Sequence, residues 1–599
     1  MRAVSRVSLA LAACCLLGTS GALAQTDIRF QLPEMDGGLQ DAILSSSLLA
    51  DAVRNETTDI QELLADGRAD YQRILSVLYA NGYFGGIVNI FVDRRELADI
   101  SPLETPQNIG GIVVRVLPGR LYTFGTARVA PIAPGTEMPP EFANGEPAEI
   151  GTIQRAANAA VEGWRNAGHA KVEITGQEIT ARHDIRRVDA SVDLAPGPQL
   201  RFGTVSVTGN EDVSAQRILA IAGLEEGRVY SPKVIARTEE RLRRTGTFRS
   251  ARVAEADEIG EGNTLPMTIE VSEQIPRRFG FGADYETDEG FGVSGFWLHR
   301  NFLGGAERLR VEGKVKGIAG NTGGLDVDLG VRFERPATPR SDTDFFIGLS
   351  VDRLNEPDFI ANTARFNTGF VRYATEDLTL EYGVGLIYSA DQDDFGESTY
   401  RLAPLSLGAQ YDRRRNPLNP KGGYYIDFDV VPYYGISGTK SGILTEVDAR
   451  GYQSFGEGER FTFAARVQLG SIVGPELLET PTIFRFFSGG GGTVRGQDYQ
   501  SLAIEDEFGR RTGGRSFFGT SLELRSGVTD AIDVVAFYDY GYVGAESFPD
   551  FSGESHAGAG LGVRYNTGIG PLRVDVGTPV SGNTGSSGIY LYIGIGQAF

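Results

Sequence analysis

The sequence predicts a chain of two textures: α+β repeats of βααββ order, three in number, followed by an all-β, 16-stranded antiparallel transmembrane barrel. Three observations predict this. A motif recurs at a spacing of 78 residues in the first half. Beyond about Pro276 helical periodicity gives way to period-two alternation. Residues 277 to 599 then leave 323 positions, which at roughly twenty residues per strand and turn make about sixteen strands.

In chain order, Arg2 and Arg6 precede an apolar run from Val7 to Leu17, and Ala22-Leu23-Ala24 supplies a small-x-small cleavage pattern. Residues 1–24 therefore read as a secretory signal peptide. Leu11-Ala12-Ala13-Cys14 also fits a lipoprotein cleavage box, which would leave a lipidated Cys14 at the new terminus. Both cysteines, Cys14 and Cys15, fall in this segment, so ordinary cleavage would leave an exported chain without disulfides. Losing Arg2 and Arg6 takes the net charge from −21 to −23. That charge repels nucleic acid and excludes it as a partner. No later run of eighteen apolar residues offers a transmembrane helix. With 79 glycines, 33 phenylalanines and 23 tyrosines, the composition suits a large soluble β-protein or a transmembrane barrel.

The repeat is carried by Val116-Leu-Pro-Gly119-Arg-Leu-Tyr-Thr-Phe-Gly125 and Leu194-Ala-Pro-Gly197-Pro-Gln-Leu-Arg-Phe-Gly203, with a weaker third copy ending at Pro276-Arg-Arg-Phe-Gly280. Each is preceded by a helix-like stretch that stops at a glycine: Gly82, Gly168 and Gly246. The third unit parses most easily, as strand 202–208, helices 214–222 and 231–244, and strands 248–254 and 266–271; the second is expected to share its βααββ order. Units at 25–118, 119–198 and 199–275 follow, with the barrel at 276–599. In the barrel, Phe461, Phe463, Ala465, Val467 and Leu469 alternate with polar residues, as do Leu572, Val574 and Val576 with Arg573 and Asp575. At the end, Leu591, Ile593, Ile595 and Phe599 fall on one face of a final strand.

The repeat resembles the POTRA domain, the periplasmic module of outer-membrane assembly and secretion barrels. Ser488 to Gln500 contains four consecutive glycines, Gly489 to Gly492, then Val494-Arg495-Gly496-Gln497. It resembles the inward-folded sixth-loop motif of the POTRA-plus-barrel superfamily, Val-Arg-Gly followed by an aromatic. Gln497 departs from the motif and moves the first aromatic to Tyr499. Phe537-Tyr-Asp539-Tyr-Gly541 resembles that superfamily's Phe-x-Asp-x-Gly motif. The resemblance implies that Arg495 pairs with Asp539 inside the barrel and that Glu523 is a second carboxylate nearby. It also implies that Phe599 is a barrel recognition signal. An arginine fork suits such a place, because it meets a carboxylate with two parallel hydrogen bonds where lysine offers only a point charge.

Strands one and sixteen carry Gly280, Gly282, Gly594 and Gly596. Glycine weakens a strand, so these could make a lateral seam that opens; equally, they could relieve crowding within the barrel. Enzyme signatures are missing. There is no Gly-x-Ser-x-Gly elbow, and His169, His183, His299 and His556 lack zinc-ligand spacing. A barrel-embedded hydrolase would need His299 or His556 beside a serine. Gly558-Ala-Gly560-Leu-Gly562 lies in a strand pattern and is no nucleotide site. No cofactor or metal is expected.

Three POTRA-like units resemble the TamA type of this superfamily. The resemblance implies the outer-membrane subunit of a translocation and assembly module in the bacterial outer membrane. Such a subunit would insert unfolded outer-membrane clients, autotransporters among them, through a weak barrel seam, with a TamB-like inner-membrane-anchored partner docking on the periplasmic POTRA units. The other reading is a passive pore or secretion-transporter barrel whose POTRA units are a docking site.

Overall fold

Glycines in the left-handed region end three helices of the first half: Gly82, Gly168 and Gly246 have φ of +85°, +98° and +66°. A side chain is disfavoured there, so each helix stops at its glycine; Gly246 follows Gly168 by the 78 residues of the repeat, and Gly168 follows Gly82 by 86. The computed structural model describes residues 26–33, 37–101, 106, 108–568, 570–582, 588–595, 597 and 599. The signal-like segment with Cys14, and Gly596, lie outside the described residues. One compact unit runs to Arg201 and includes Val229–Pro232; the other holds Phe202–Arg228 and the chain from Lys233 onward.

The first unit contains two sheets. Strand β1 (Asp27–Gln31) is followed by helices α1 (Gly37–Ser46), α2 (Leu48–Arg54) and α3 (Ile60–Ala80), then β2 (Ile87–Val92), β3 (Arg95–Glu96) and β4 (Gly111–Leu117). The sheet order is β1-β4-β2-β3. Buried Asp70 fastens its helices, accepting hydrogen bonds from Ser47 Oγ and the N–H groups of Leu48 and Leu49 at the start of α2. The second sheet is built from β5 (Thr123–Ala130), β6 (Glu173–Arg182) and β7 (Arg187–Ala195) in the order β5-β7-β6, with one helix, α4 (Ile150–Asn166). The expected first helix of this repeat does not form. Residues 131–149 carry five prolines (Pro131, Pro134, Pro139, Pro140 and Pro147), which remove the N–H donors a helix needs.

The second unit begins with the third repeat, and here the βααββ order holds: β8 (Arg201–Thr208), α5 (Ala215–Ala222), α6 (Pro232–Arg244), β9 (Phe248–Glu255) and β10 (Thr264–Glu273). The barrel follows. Its strands are β11 (Arg277–Glu286), β12 (Gly290–His299), β13 (Arg308–Ile318), β14 (Asp326–Arg335), β15 (Thr343–Glu356), β16 (Phe359–Tyr373), β17 (Leu378–Asp393), β18 (Gly396–Asp412), β19 (Gly422–Ser437), β20 (Gly442–Phe455) and β21 (Phe461–Val473). A long loop, 474–515, carries the small pair β22 (Ile504–Glu505) and β23 (Arg511–Thr512). The circuit continues with β24 (Ser516–Gly527), β25 (Ile532–Gly544), β26 (Glu554–Tyr565), β27 (Leu572–Ser581) and β28 (Tyr590–Ile595). Without β22 and β23 these are sixteen antiparallel strands in a closed barrel. Alternation sorts their faces: Leu522, Leu524, Val574 and Val576 are exposed on the outside, and Glu523, Arg525 and Asp575 are buried within.

The third repeat is docked onto the periplasmic turns of the barrel by α6. Arg241 holds Asp342, in the turn between β14 and β15, with two parallel hydrogen bonds of 2.8 and 2.7 Å, and Arg237 lies 3.0 Å from the same carboxylate. Arg244 stacks over the Tyr373 ring at 3.6 Å. Burial would raise the Asp342 pKa, but Arg241, Arg237 and Arg244 outweigh it and hold the carboxyl below the ordinary aspartate value. Asp342→Ala is therefore expected to loosen α6 from the barrel, read as faster tryptic cleavage of the third repeat in the folded protein. In the unsubstituted protein the contact contributes fully above the unfolded aspartate pKa of about 3.9, and is lost only as pH falls through the lower folded value. Protection should persist at about pH 5 and fail well below pH 4.

Candidate functional site: the lumen loop and the seam

The loop 474–515 turns into the barrel on a short ribbon. Phe486 and Gly514 exchange backbone hydrogen bonds of 2.9 and 2.8 Å, and Ser488 and Leu502 exchange bonds of 3.1 and 2.9 Å. At its tip Arg495 is 2% exposed. The guanidinium meets Asp539 through Nε at 2.7 Å and Nη2 at 3.0 Å, and the Arg495 backbone N–H donates to the same carboxylate at 3.1 Å. Nη1 donates to Glu523 at 2.7 Å and to Asp575 at 3.0 Å. The ring of Phe537 lies under the guanidinium, 3.7 Å from Cζ. Three carboxylates from three strands thus surround one cation, on a bed that excludes water. The sequence pointed to Asp539 and Glu523, and the motif that carries Asp539 opens on Phe537, but Asp575 and Arg564, which donates to Asp575 at 3.1 Å, were missed. Asp575 was visible as an acid within the Leu572–Val574–Val576 alternation; nothing in one dimension aimed it at Arg495.

Glycines make the room. A Cβ on Gly558 would lie 2.0 Å from the Arg495 carbonyl oxygen, and one on Gly496 would lie 2.6 Å from the Thr578 backbone. Gly496 also has φ of +90°. The glycine alternation of β26, which is no nucleotide site, is therefore the seat of the loop. Gln497, where the motif has an aromatic, is fully buried and donates through Nε2 to the carbonyls of Ala557 at 2.5 Å and Ser581 at 2.8 Å. These flank the point where the β26–β27 register shifts, between Ala557 and Gly558. The amide thus caps carbonyls at a β-irregularity, a task no aromatic ring can do.

A histidine does stand beside a serine: Ser488 Oγ and His556 Nε2 are 2.9 Å apart. Hydrolysis would need an open hydroxyl and a group orienting the imidazole. Ser488 is buried, and no carboxylate is hydrogen-bonded to His556 among the described residues. The pair seats the loop stem, over Gly541, where a Cβ would meet Ser488 Oγ at 2.3 Å.

At the barrel's closure, β11 and β28 pair only at Tyr285–Ile593 and Glu286–Tyr592 among the described residues. By contrast, β11 and β12 pair along all ten residues of β11. The glycines do not face one another across this junction. A Cβ on Gly280 would strike the Phe296 ring of β12 at 2.2 Å, one on Gly282 would meet Ser294 at 2.8 Å, and Gly594 pairs with Arg573 of β27. Gly596 lies outside the described residues. The expectation that Phe599 shares a face with Ile593 and Ile595 needs correction. Those two are exposed on the outer surface, whereas Phe599 is buried against Tyr452 and Ala464 on the lumen side. The tail is drawn in by Gln597, which accepts from Arg564 at 3.2 Å and donates to Asn419 at 2.9 Å.

A sixteen-stranded barrel with an arginine-held loop in its lumen and POTRA-like repeats before it defines an outer-membrane barrel of the assembly and secretion type. The Omp85 superfamily domain matches residues 301–599, and the POTRA family (surface antigen variable number repeat) matches residues 200–274. The chain is 23% identical over 504 residues to outer membrane protein assembly factor BamA of Neorickettsia risticii, covering 79% of this chain and 66% of that protein. It is 23% identical over 434 residues to BamA of Nitratidesulfovibrio vulgaris, covering 70% of this chain and 53% of that one. It thus spans between about half and two-thirds of these relatives' length. Among solved structures it resembles BamA from Haemophilus ducreyi lacking POTRA domains 1–3 (TM-score 0.60, 15% identity, 79% of this chain and all of that one) and CdiB from Acinetobacter baumannii (TM-score 0.52, 12% identity, 80% and 90%). The chain belongs to the Omp85 superfamily. It is an outer-membrane protein with its POTRA units in the periplasm.

Removing one partner of a buried ion network leaves uncompensated charge, at a cost on the order of 3–5 kcal/mol. Arg495→Ala and Asp575→Asn should both release the loop to external protease while the barrel still shows heat-modifiable migration on a gel. Gly558→Ala should do the same through steric conflict with the Arg495 carbonyl, although it removes no charge.

Proposed function

We propose that this protein is the outer-membrane subunit of a translocation and assembly module, inserting outer-membrane proteins such as autotransporters through the β11–β28 junction. The coarser statement, an Omp85 assembly or secretion barrel, is given by the family. The finer reading rests chiefly on that junction, where the described residues of β11 and β28 form two ladder pairs, supplemented by hydrogen bonds between Thr287 and Leu591. Six pairs join β27 and β28, and fourteen make up long ladders such as β15–β16 and β17–β18. A strand interface this short is the least costly place to part. Strand length adds to the effect. The strands flanking the junction have 10, 10, 10 and 6 residues (β11, β12, β27 and β28), and β17, β18 and β19 have 16, 17 and 16. At roughly 3.3 Å per residue the wall is lowest at the junction, which favours a thinned bilayer there.

Three POTRA units support the TamA type, and with it a TamB-like inner-membrane-anchored partner docking in the periplasm. Their edge strands, such as the largely exposed β6, offer unpaired backbone to an extended client or partner segment by β-augmentation. No nucleotide or redox energy enters; the stability of the inserted product drives the step. Against a steadily open pore stand the loop 474–515 and Phe599, both in the lumen.

A disulfide across the junction tests this. With Tyr285→Cys and Ile593→Cys joined, client insertion into proteoliposomes should be abolished and should return on reduction. Full insertion with the bond intact would overturn the reading. A large, steady single-channel conductance of the unmodified protein would favour the pore instead.

A further inference from the structure

The tip of the lumen loop touches both sides of the β11–β28 junction. On the β28 side, the Gly496 N–H donates to the Tyr592 hydroxyl at 2.9 Å, and the Tyr590 hydroxyl donates to the Asp498 carboxylate. Both tyrosines are buried. On the β11 side, the Gly491 N–H donates to the Glu286 carboxylate at 3.1 Å, and the Tyr499 N–H donates to the Asp288 carboxylate, also at 3.1 Å. Glu286 and Tyr592 are themselves one of the two pairs that close the barrel. A few residues of loop therefore grip, from within, the strands whose own ladder is shortest. Gly491 lets them approach, since a Cβ there would lie 2.5 Å from Glu286 Oε1.

We infer that the loop tip is a strap across the seam, and that β11 and β28 part only when the tip releases Glu286 and Asp288. The two grips differ in depth. On the β28 side the tip is continuous with Arg495, held by β24, β25 and β27, and with Gln497, which is fixed to β26 and β27. On the β11 side it has backbone N–H groups donating to two carboxylates at the end of a strand and its turn. Release therefore occurs at β11: the loop stays with the β24–β28 wall, and β11 moves away carrying Glu286 and Asp288. Strands β11 and β28 carry the gate in this picture, and Tyr590, Tyr592, Glu286 and Asp288 are positioning residues for it.

This inference rests on the proposed opening of the seam, and the experiment separates the two. Spin labels at Phe281→Cys and Ile595→Cys, both on the exposed outer face, report the width of the junction in full-length protein in nanodiscs. Tyr590→Phe with Tyr592→Phe removes the hydroxyls on one side and keeps the rings; Glu286→Ala with Asp288→Ala removes the acceptors on the other. Each pair should raise the long-distance population roughly tenfold, a shift equivalent to about 1.4 kcal/mol. Loop protection from protease should be retained, because Arg495 still anchors it. An unchanged distance distribution in the Phe pair, which cannot fail through lost packing, would overturn the strap even if the acidic pair did not fold. Wider distances accompanied by loss of loop protection would also overturn it, since the loop would then not stay with the β28 wall. Wider distances with loop protection kept and client insertion unaffected would leave the strap standing and remove the assembly reading.

Discussion

Everything in the lumen depends on one buried cation. Arg495 is enclosed by Asp539, Glu523 and Asp575, and around these stand Arg525, 2.8 Å from Glu523, and Arg564, 3.1 Å from Asp575. Arg573 lies 4.0 Å from Asp575. Four arginines thus share three carboxylates. Such a network adds little net stability over an apolar core of the same volume, because desolvation offsets attraction. What it supplies is direction. The fork of Arg495 fits Asp539 in one orientation, its third nitrogen is left for Glu523 and Asp575, and the loop backbone is brought to within hydrogen-bond reach of both closing strands. A lysine could neutralise the same charge without fixing any of this.

The network also divides the barrel into a stiff wall and a soft junction. Carboxylates from β24, β25 and β27 converge on the loop, and Gln497 ties it to the β26–β27 irregularity, so four consecutive strands are cross-braced from inside. Among the described residues the junction's own strands add only two ladder pairs and the Thr287–Leu591 hydrogen bonds. The barrel therefore resembles a cylinder reinforced on one side of a slit, with the reinforcement reaching across it.

Much of the architecture was legible because it is periodic. The 78-residue spacing placed the repeats, positive-φ glycines ended the helices, and alternation with length gave sixteen strands. The missing helix of the second repeat was legible too, had its five prolines been weighed against the analogy with the third. Asp539 and Glu523 were reached through motifs. Asp575 and the seat at Gly558 were not, since they meet Arg495 only through strand register. Ser488 and His556 are 68 residues apart and meet for the same reason. Gln497 looked like a defect in a motif; it is a donor chosen for two carbonyls at a register shift, which is a property of the fold and not of the local sequence. The glycines of the closing strands suggest a weak seam or relief of crowding in the sequence, whereas what Gly280 makes room for, the ring of Phe296, depends on its pairing with β12.

The shortness of the junction has a cause in the chain's last residues. In register with Tyr285–Ile593, the next positions of β28 would continue the ladder along Asp284 to Phe279. Instead, Gln597 is held by Arg564 and Asn419, and Phe599 packs against Tyr452 and Ala464 in the lumen. Residues that could complete the seam are committed elsewhere. The N-terminal, periplasmic part of β11 consequently faces the bilayer beside Phe279 and Phe281, the latter 87% exposed, with no β28 partner before Tyr285 among the described residues. Backbone N–H and C=O groups left without partners in hydrocarbon cost several kcal/mol each, which is why open sheet edges are not found there. Such an edge persists only where water or thinned lipid reaches it, or where another strand arrives to pair. Those backbone groups of β11, without a β28 partner among the described residues, are the ones that a pairing strand would satisfy.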